Sequence, residues 1–106
     1  MENDNNLEAA MGLIVNGGNA KSMAFEAIKA AKKGDFDLAD EKLKESDKAL
    51  SEAHNAQTDM LTKEAQGEHT EVSLLMVHAQ DHMMNAITFR DLAGEVVDLY
   101  KKLDNK

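Results

Sequence analysis

The chain has 106 residues, and twenty acidic against twelve basic residues give it a net charge of −8, which argues against nucleic acid or an anionic membrane as the main partner. The absence of cysteine excludes disulfides, thiolate nucleophiles and Cys-ligated zinc. Without proline, a signal peptide or an apolar run of about 20 residues, the chain is expected to be one soluble, mostly helical cytoplasmic domain.

The first predicted helix runs from about residue 7 to 33. Asn5 or Asn6 is a candidate N-cap, lysines gather in the last turn, and Gly34 is suited to end the helix. The apolar residues recur at helical spacing on one stripe: Leu7, Met11, Ile14, Gly18, Phe25 and Ile28.

Three glycines, Gly12, Gly17 and Gly18, lie inside this helix. Each costs about 0.5–1 kcal/mol of helix stability relative to alanine. They favour close packing against another helix, and the alternative is a shallow groove where a partner docks.

The second predicted helix covers residues 35–66, with Asp35 as its N-cap. Its core positions alternate in threes and fours: Phe36, Ala39, Leu43, Ser46, Leu50, Ala53, Gln57 and Met60. The charged residues between them are expected to face solvent.

The third predicted helix covers residues 71–103, with Thr70 as its cap, and it is apolar on two sides. One stripe passes through His78 and Asp81; the other holds Val72, Met76, Ala79, Met83, Ile87 and Val97 and is interrupted by Arg90. A helix in an isolated antiparallel three-helix bundle needs only one buried face. The second stripe therefore predicts self-association.

A polar cluster lies in the first of these stripes. His78, Asp81, His82 and Asn85 share a helix face because they stand at i, i+3, i+4 and i+7. The two histidines have a spacing that suits zinc, but Ala79 stands where a zinc protease has its glutamate. A metal site formed by the two histidines and Asp81, and a buried hydrogen-bonded network, both remain open on spacing alone.

A histidine of this cluster is alternatively a nucleophile that carries a phosphoryl group. Gln80 and His82 can donate hydrogen bonds to such a group. Asp81 would repel it, and would have to be neutralised by a cation or share a proton across a symmetry axis.

Four segments together resemble one family, the lactose/cellobiose/diacetylchitobiose class of enzyme IIA proteins of the bacterial phosphoenolpyruvate-dependent sugar phosphotransferase system (PTS). The similarity covers about residues 11–103. The segments are Met11–Ser22, Lys33–Phe36, Glu52–Thr58 and Val77–Met83.

This resemblance implies that His78 becomes a tele-phosphohistidine. It would receive the phosphoryl group from the histidine-containing phosphocarrier protein (HPr) and pass it to a cysteine of enzyme IIB, from which it reaches the sugar at the membrane component, enzyme IIC. Gln80 and His82 match residues that support the site.

The resemblance also implies a homotrimer with the third helices around the axis. Asp81 matches an axial aspartate that binds a divalent metal such as Mg²⁺ in lactose-type members, and no organic cofactor is implied. The sequence around His78 resembles cellobiose- and diacetylchitobiose-type members more than lactose-type members. The alternative is a non-enzymatic module that uses His78, Asp81 and His82 to bind metal or to oligomerise.

Overall fold

Three long helices form an antiparallel bundle in the computed structural model, which describes the chain from Asp4 to Asn105. Helix α1 covers Asp4–Lys32, α2 covers Phe36–Ala65 and α3 covers Leu74–Asp104. The bundle is an elongated rod of 58 × 21 × 18 Å. The predicted all-α, three-helix fold is confirmed, and no helix in the described part of the chain is long and apolar enough to span a membrane.

The ends of α1 and α2 follow local backbone chemistry. Gly34 adopts φ +84°, a left-handed conformation that favours glycine and ends α1. The Asp35 side chain accepts a hydrogen bond from the Leu38 amide at 3.2 Å, which caps α2 as predicted. Helix α1 already includes Asn5 and Asn6, so neither is its N-cap, and residues 1–3 lie outside the described chain.

Ser73, not Thr70, is the N-cap of α3. The Ser73 hydroxyl accepts a hydrogen bond from the Met76 amide at 3.1 Å, so the helix begins at Leu74 rather than near residue 71. Thr70 instead donates its own amide to Glu64 at 3.1 Å. The connection remains outside the helix because its polar groups are satisfied by the end of α2, and Val72, predicted as a core position, is 82% exposed.

Alanines line the buried face of α1, and the predicted stripe of larger residues was wrong by about one position. Leu7, Met11 and Phe25 are about half exposed, at 45%, 46% and 51%. Small side chains let two neighbouring helices pack closely on the same helix. The buried apolar residues of α1 are Ala10, Leu13, Ala20, Ala24, Ala27, Ala30 and Ala31.

Helix α2 buries three positions of its predicted stripe, Ala39, Ser46 and Ala53. Ser46 is fully buried, and its hydroxyl donates a hydrogen bond of 2.7 Å to the Ala20 carbonyl of α1. Burial of that hydroxyl is tolerated because it has a partner.

Helix α3 uses the second predicted stripe for the core, with Met76, Ala79, Met83 and Val97 buried. The other stripe, through His78, faces outward. We call its exposed residues the open face of α3: Leu74, Val77, His78, Asp81, Leu92, Leu99 and Leu103.

The contact between α2 and α3 is smaller than either contact with α1 and is bridged by ion pairs. Arg90, which interrupts the core stripe, reaches Asp47 with Nη2 3.0 Å from Oδ2. Its guanidinium passes over Gly94, where a Cβ would lie only 2.7 Å from Nη1. Further along, the Lys101 ammonium lies 2.8 Å from an Asp40 carboxylate oxygen.

The connection between α2 and α3 carries a pH-dependent contact. His69 donates to Glu64 from Nδ1 at 2.9 Å, and this bond, with that from the Thr70 amide, lowers the pKa of the Glu64 carboxyl. Because the folded-state pKa of Glu64 is lowered, the contact stabilises the connection at pH values above the unfolded-state pKa, and this stabilisation is lost as the pH falls through the folded-state pKa.

We expect an NMR titration of the Glu64 carboxyl to have its midpoint below 4.5, and we expect His69→Ala to raise that midpoint. The exposed His54 supplies the control, because His54→Ala should leave the midpoint unchanged; an unchanged midpoint in both variants would contradict the contact.

Candidate functional site

His78 is an exposed imidazole on the second turn of α3. It is surrounded on the open face by two exposed apolar residues, Leu74 at 86% and Val77 at 52% exposure. An imidazole placed this way can be approached by another macromolecule. It therefore suits a reaction whose second reactant is held by a partner protein.

His82 lies one turn further along α3 and is half-buried. Its ring stacks on that of His78, with centroids 5.9 Å apart and an interplanar angle of 29°. The His82 ring also packs against α1 at Gly17 and Gly18. The two predicted histidines are thus together, one accessible and the other held between helices.

An open groove with a volume of about 490 Å³ begins at His82 and follows α1. Phe25 of α1 and Phe89 of α3 lie against each other with ring centroids 6.2 Å apart. The Lys21 ammonium is 5.9 Å from the Phe89 centroid, and Lys29 is 4.8 Å from that of Phe25. Both are cation–π contacts, so an otherwise acidic protein presents aromatic surface and positive charge beside the histidines.

Sequence reasoning missed these groove residues, although it proposed a shallow groove on α1. The available signal was the i, i+4, i+8 spacing of Lys21, Phe25 and Lys29 along α1. The lining consists of Gly18, Lys21, Ser22, Phe25, Glu26, Lys29 and His82.

Gln80 is not beside His78 within one chain. Two positions along a helix correspond to about 200° of rotation, which directs Gln80 towards α2. There the Gln57 amide donates to its carbonyl oxygen at 2.6 Å, while the Gln80 amide nitrogen lies 3.8 Å from the sulfurs of Met60 and Met76. A role for Gln80 at a phosphoryl group would require the His78 of another copy.

Asp81 is exposed on the open face of α3, and the Asn85 amide lies 3.4 Å from one of its carboxylate oxygens. No group of three or more potential ligands comes together anywhere in the described chain. One carboxylate is a poor divalent-cation site by itself. A metal at Asp81 would need the same residue from further copies, and the geometry of one chain does not favour a site made by Asp81 with His78 and His82.

Comparisons with known proteins identify relatives of this chain. A family model described as "PTS system, Lactose/Cellobiose specific IIA subunit" matches residues 8–101. The chain is 54% identical over 100 residues to the PTS system cellobiose-specific EIIA component of Lactococcus lactis subsp. lactis, covering 94% of this chain and 86% of that protein.

Two solved structures share the fold. The crystal structure of the PTS cellobiose-specific enzyme IIA from Bacillus anthracis has a TM-score of 0.95 and 48% identity, covering 100% of this chain and 96% of that chain. A chain of the IIA(Chitobiose)–HPr complex of the Escherichia coli phosphotransferase system has a TM-score of 0.81 and 41% identity, covering 98% of this chain and 99% of that chain.

Proposed function

Because the chain belongs to the lactose/cellobiose-specific enzyme IIA family of the PTS, and is thus a phosphotransferase component, we propose that His78 carries the phosphoryl group. The observation that supports this residue is its exposed imidazole stacked on the half-buried His82. The other histidines lack that arrangement: His54 lies alone on α2, and His69 is engaged by Glu64.

The reaction is an in-line displacement at phosphorus. The Nε2 lone pair of neutral His78 attacks the phosphoryl group, and the P–N bond to the donor histidine breaks. The donor imidazole leaves with the electron pair and takes up a proton, which balances the Nδ1 proton that His78 releases. In the second step a cysteine thiolate attacks phosphorus, the His78 P–N bond breaks, and the His78 imidazole leaves with the electron pair and takes up a proton. The protein contributes position and hydrogen bonds, and His82, whose ring stacks on that of His78, is the residue placed to donate to the phosphoryl group.

The donor is HPr and the acceptor is the cysteine of a cognate enzyme IIB, which passes the group to the sugar at enzyme IIC. The IIA(Chitobiose)–HPr complex among the structural relatives supports the first partner. The groove of Phe25, Lys21 and Lys29 beside His82 offers apolar surface and charge for docking.

A reconstituted phosphorylation assay tests this function. The purified protein is incubated with phosphoenolpyruvate, enzyme I and HPr, and we expect one acid-labile phosphoryl group per chain by intact mass. Addition of the enzyme IIB protein should remove it. A chain that remains unmodified in the complete mixture would contradict the proposal.

The protein acts as a homotrimer in which the open faces of the three α3 helices meet around Asp81, Leu92 and Leu99, while His78 lies at the edge of this contact and stays accessible to partner proteins. Leu92 and Leu99 of that face are 59% and 58% exposed in one chain, and further apolar residues extend the surface at both ends. Exposed apolar residues along most of one helix face are unfavourable in water, and association removes them from it. The neighbouring copy is then the one that can bring Gln80 near His78.

Asp81 lies in that interface near the axis, where three copies either bind a divalent cation such as Mg²⁺ or share protons. We expect Asp81→Leu to leave a folded trimer, more stable by about 1–4 kcal/mol, because burying three carboxylates is costly. Analytical ultracentrifugation with chemical denaturation measures this.

Asp81→Asn is the matched control, because it removes the charge and keeps the shape. Elemental analysis of the purified trimer decides between the two possibilities: a cation that is present in the wild type and absent from both variants indicates metal binding, whereas a metal-free wild type indicates shared protons. Dissociation of the Asp81→Leu protein would show that the polar contact is needed for assembly.

The transported sugar is a β-linked disaccharide of the cellobiose or diacetylchitobiose type, taken up by a system whose soluble carrier acts in the cytoplasm. The supporting observation is the sequence around His78, which resembles cellobiose- and diacetylchitobiose-type members; overall identity does not select the sugar, because a cellobiose-specific and a galactose-specific component are both 54% identical to this chain. Since the sugar itself binds the membrane component, uptake assays with the complete system are the direct test.

A further inference from the structure

We propose that Gly17 and Gly18 are positioning residues of the phosphoryl site, which hold the His82 imidazole beside His78 by having no side chain. This inference rests on the proposed function of His78. It assigns helix α1 a part in the reaction that goes beyond packing.

The evidence is the contact between α1 and the His82 ring. A Cβ on Gly17 would lie 3.2 Å from Cδ2 of His82, closer than ordinary van der Waals contact. A Cβ on Gly18 would lie 3.4 Å from Nε2 of the same ring. The imidazole thus occupies the space that two side chains would otherwise fill, and the same ring stacks on that of His78.

The three glycines of α1 differ in a way that separates this role from a general need for small residues. At Gly12 a Cβ would meet nothing within 4 Å, so α1 tolerates a side chain there. At Gly17 the backbone of α3 is also near, but at ordinary distances of 3.5 Å to Met83 Cα and 3.6 Å to the His82 carbonyl oxygen. A methyl group at Gly17 would therefore displace the His82 ring before it displaced the helix.

Displacement of this ring matters because His82 must direct a ring nitrogen at the phosphoryl group on His78. Its own helix fixes only the Cα position, and the rotamer is determined by what surrounds the ring. A shift of a few tenths of an ångström changes both the stacking on His78 and the direction of the hydrogen bond. Errors of about 1 Å in such positions lower rates roughly a hundredfold.

The test compares alanine variants in the phosphorylation assay with HPr. Gly17→Ala should lower the rate of phosphoryl acceptance about fivefold, in keeping with a shift smaller than 1 Å. Gly12→Ala is the matched control and should react at the wild-type rate. Equal rates for Gly17→Ala and the wild type would overturn the inference while leaving His78 as the carrier, whereas an unlabelled wild type would overturn the proposed function itself.

A double-mutant cycle separates positioning from damage to the fold. If Gly17 acts through His82, then Gly17→Ala should have no further effect on the rate in a His82→Ala background. The NMR chemical shifts of the His82 ring protons should also change in Gly17→Ala and remain unchanged in Gly12→Ala, because the ring moves relative to His78 only in the first variant. Additive losses of rate, or unaltered His82 ring shifts, would contradict the role.

Gly18→Ala keeps the inference testable if the Gly17 variant does not fold. Its methyl group would contact Nε2 without forcing the ring to move, and it should slow the reaction by obstructing that nitrogen. A wild-type rate in a folded Gly18→Ala protein would refute the role of the pair.

Discussion

Replacement of His78 by glutamine is expected to abolish phosphoryl acceptance. Glutamine has a similar length and keeps a hydrogen-bonding end, but its amide nitrogen has no available lone pair and cannot attack phosphorus. Because His78 is exposed and outside the core, the His78→Gln protein should fold normally. With phosphoenolpyruvate, enzyme I and HPr, its intact mass should stay that of the unmodified chain, a loss of labelling of at least about a thousandfold.

The matched control is His54→Gln, a change of the same kind at another exposed histidine. It should be labelled at the wild-type rate. If the His78→Gln protein acquires an acid-labile phosphoryl group, the carrier is another residue, and peptide mapping would identify it.

Introduction of a charge on the open face of α3 is expected to have the second largest effect. Leu92 is 59% exposed in one chain, and burial of a leucine side chain is worth about 1.5–3 kcal/mol. Leu92→Arg would remove that contribution from all three copies and place three like charges near one axis. We expect the trimer to dissociate, by size-exclusion chromatography with light scattering, into monomers that keep their helical circular dichroism.

Leu61→Arg on α2 is the matched control, since Leu61 is 62% exposed but lies outside the open face of α3. It should remain trimeric. If the Leu92→Arg protein elutes as a trimer while Leu61→Arg dissociates, the subunits associate through α2 instead.

Local chemistry explains which features were predictable. Gly34 and Asp35 end one helix and begin the next because their own backbone and side chain satisfy the helix ends. Thr70 failed as a cap because Glu64, six residues earlier at the end of α2, holds the Thr70 amide and keeps residue 70 in the connection before α3. Ser73, three residues later, is an equally good cap chemically, and it is the residue that accepts from the first turn of α3.

The buried faces of α1 and α3 could likewise be predicted only in part from the sequence. Helical period alone could not distinguish the stripe of Leu7, Met11 and Phe25 from the alanines beside it. The alanines were selected because two helices pack on α1 at once, which requires a small-residue face on that helix. For α3, two apolar stripes were evident, and only the assembled bundle determines which of them faces inward.

By itself, the sequence determined that this protein is three helices with a histidine pair on one face of the third, because helix period and turn residues act over a few positions along the chain. The tertiary structure decided the rest of the site. It left His78 exposed, held His82 against Gly17 and Gly18, and turned Gln80 away towards Gln57. These arrangements depend on which helix lies opposite each face, and that is a property of packing between distant segments.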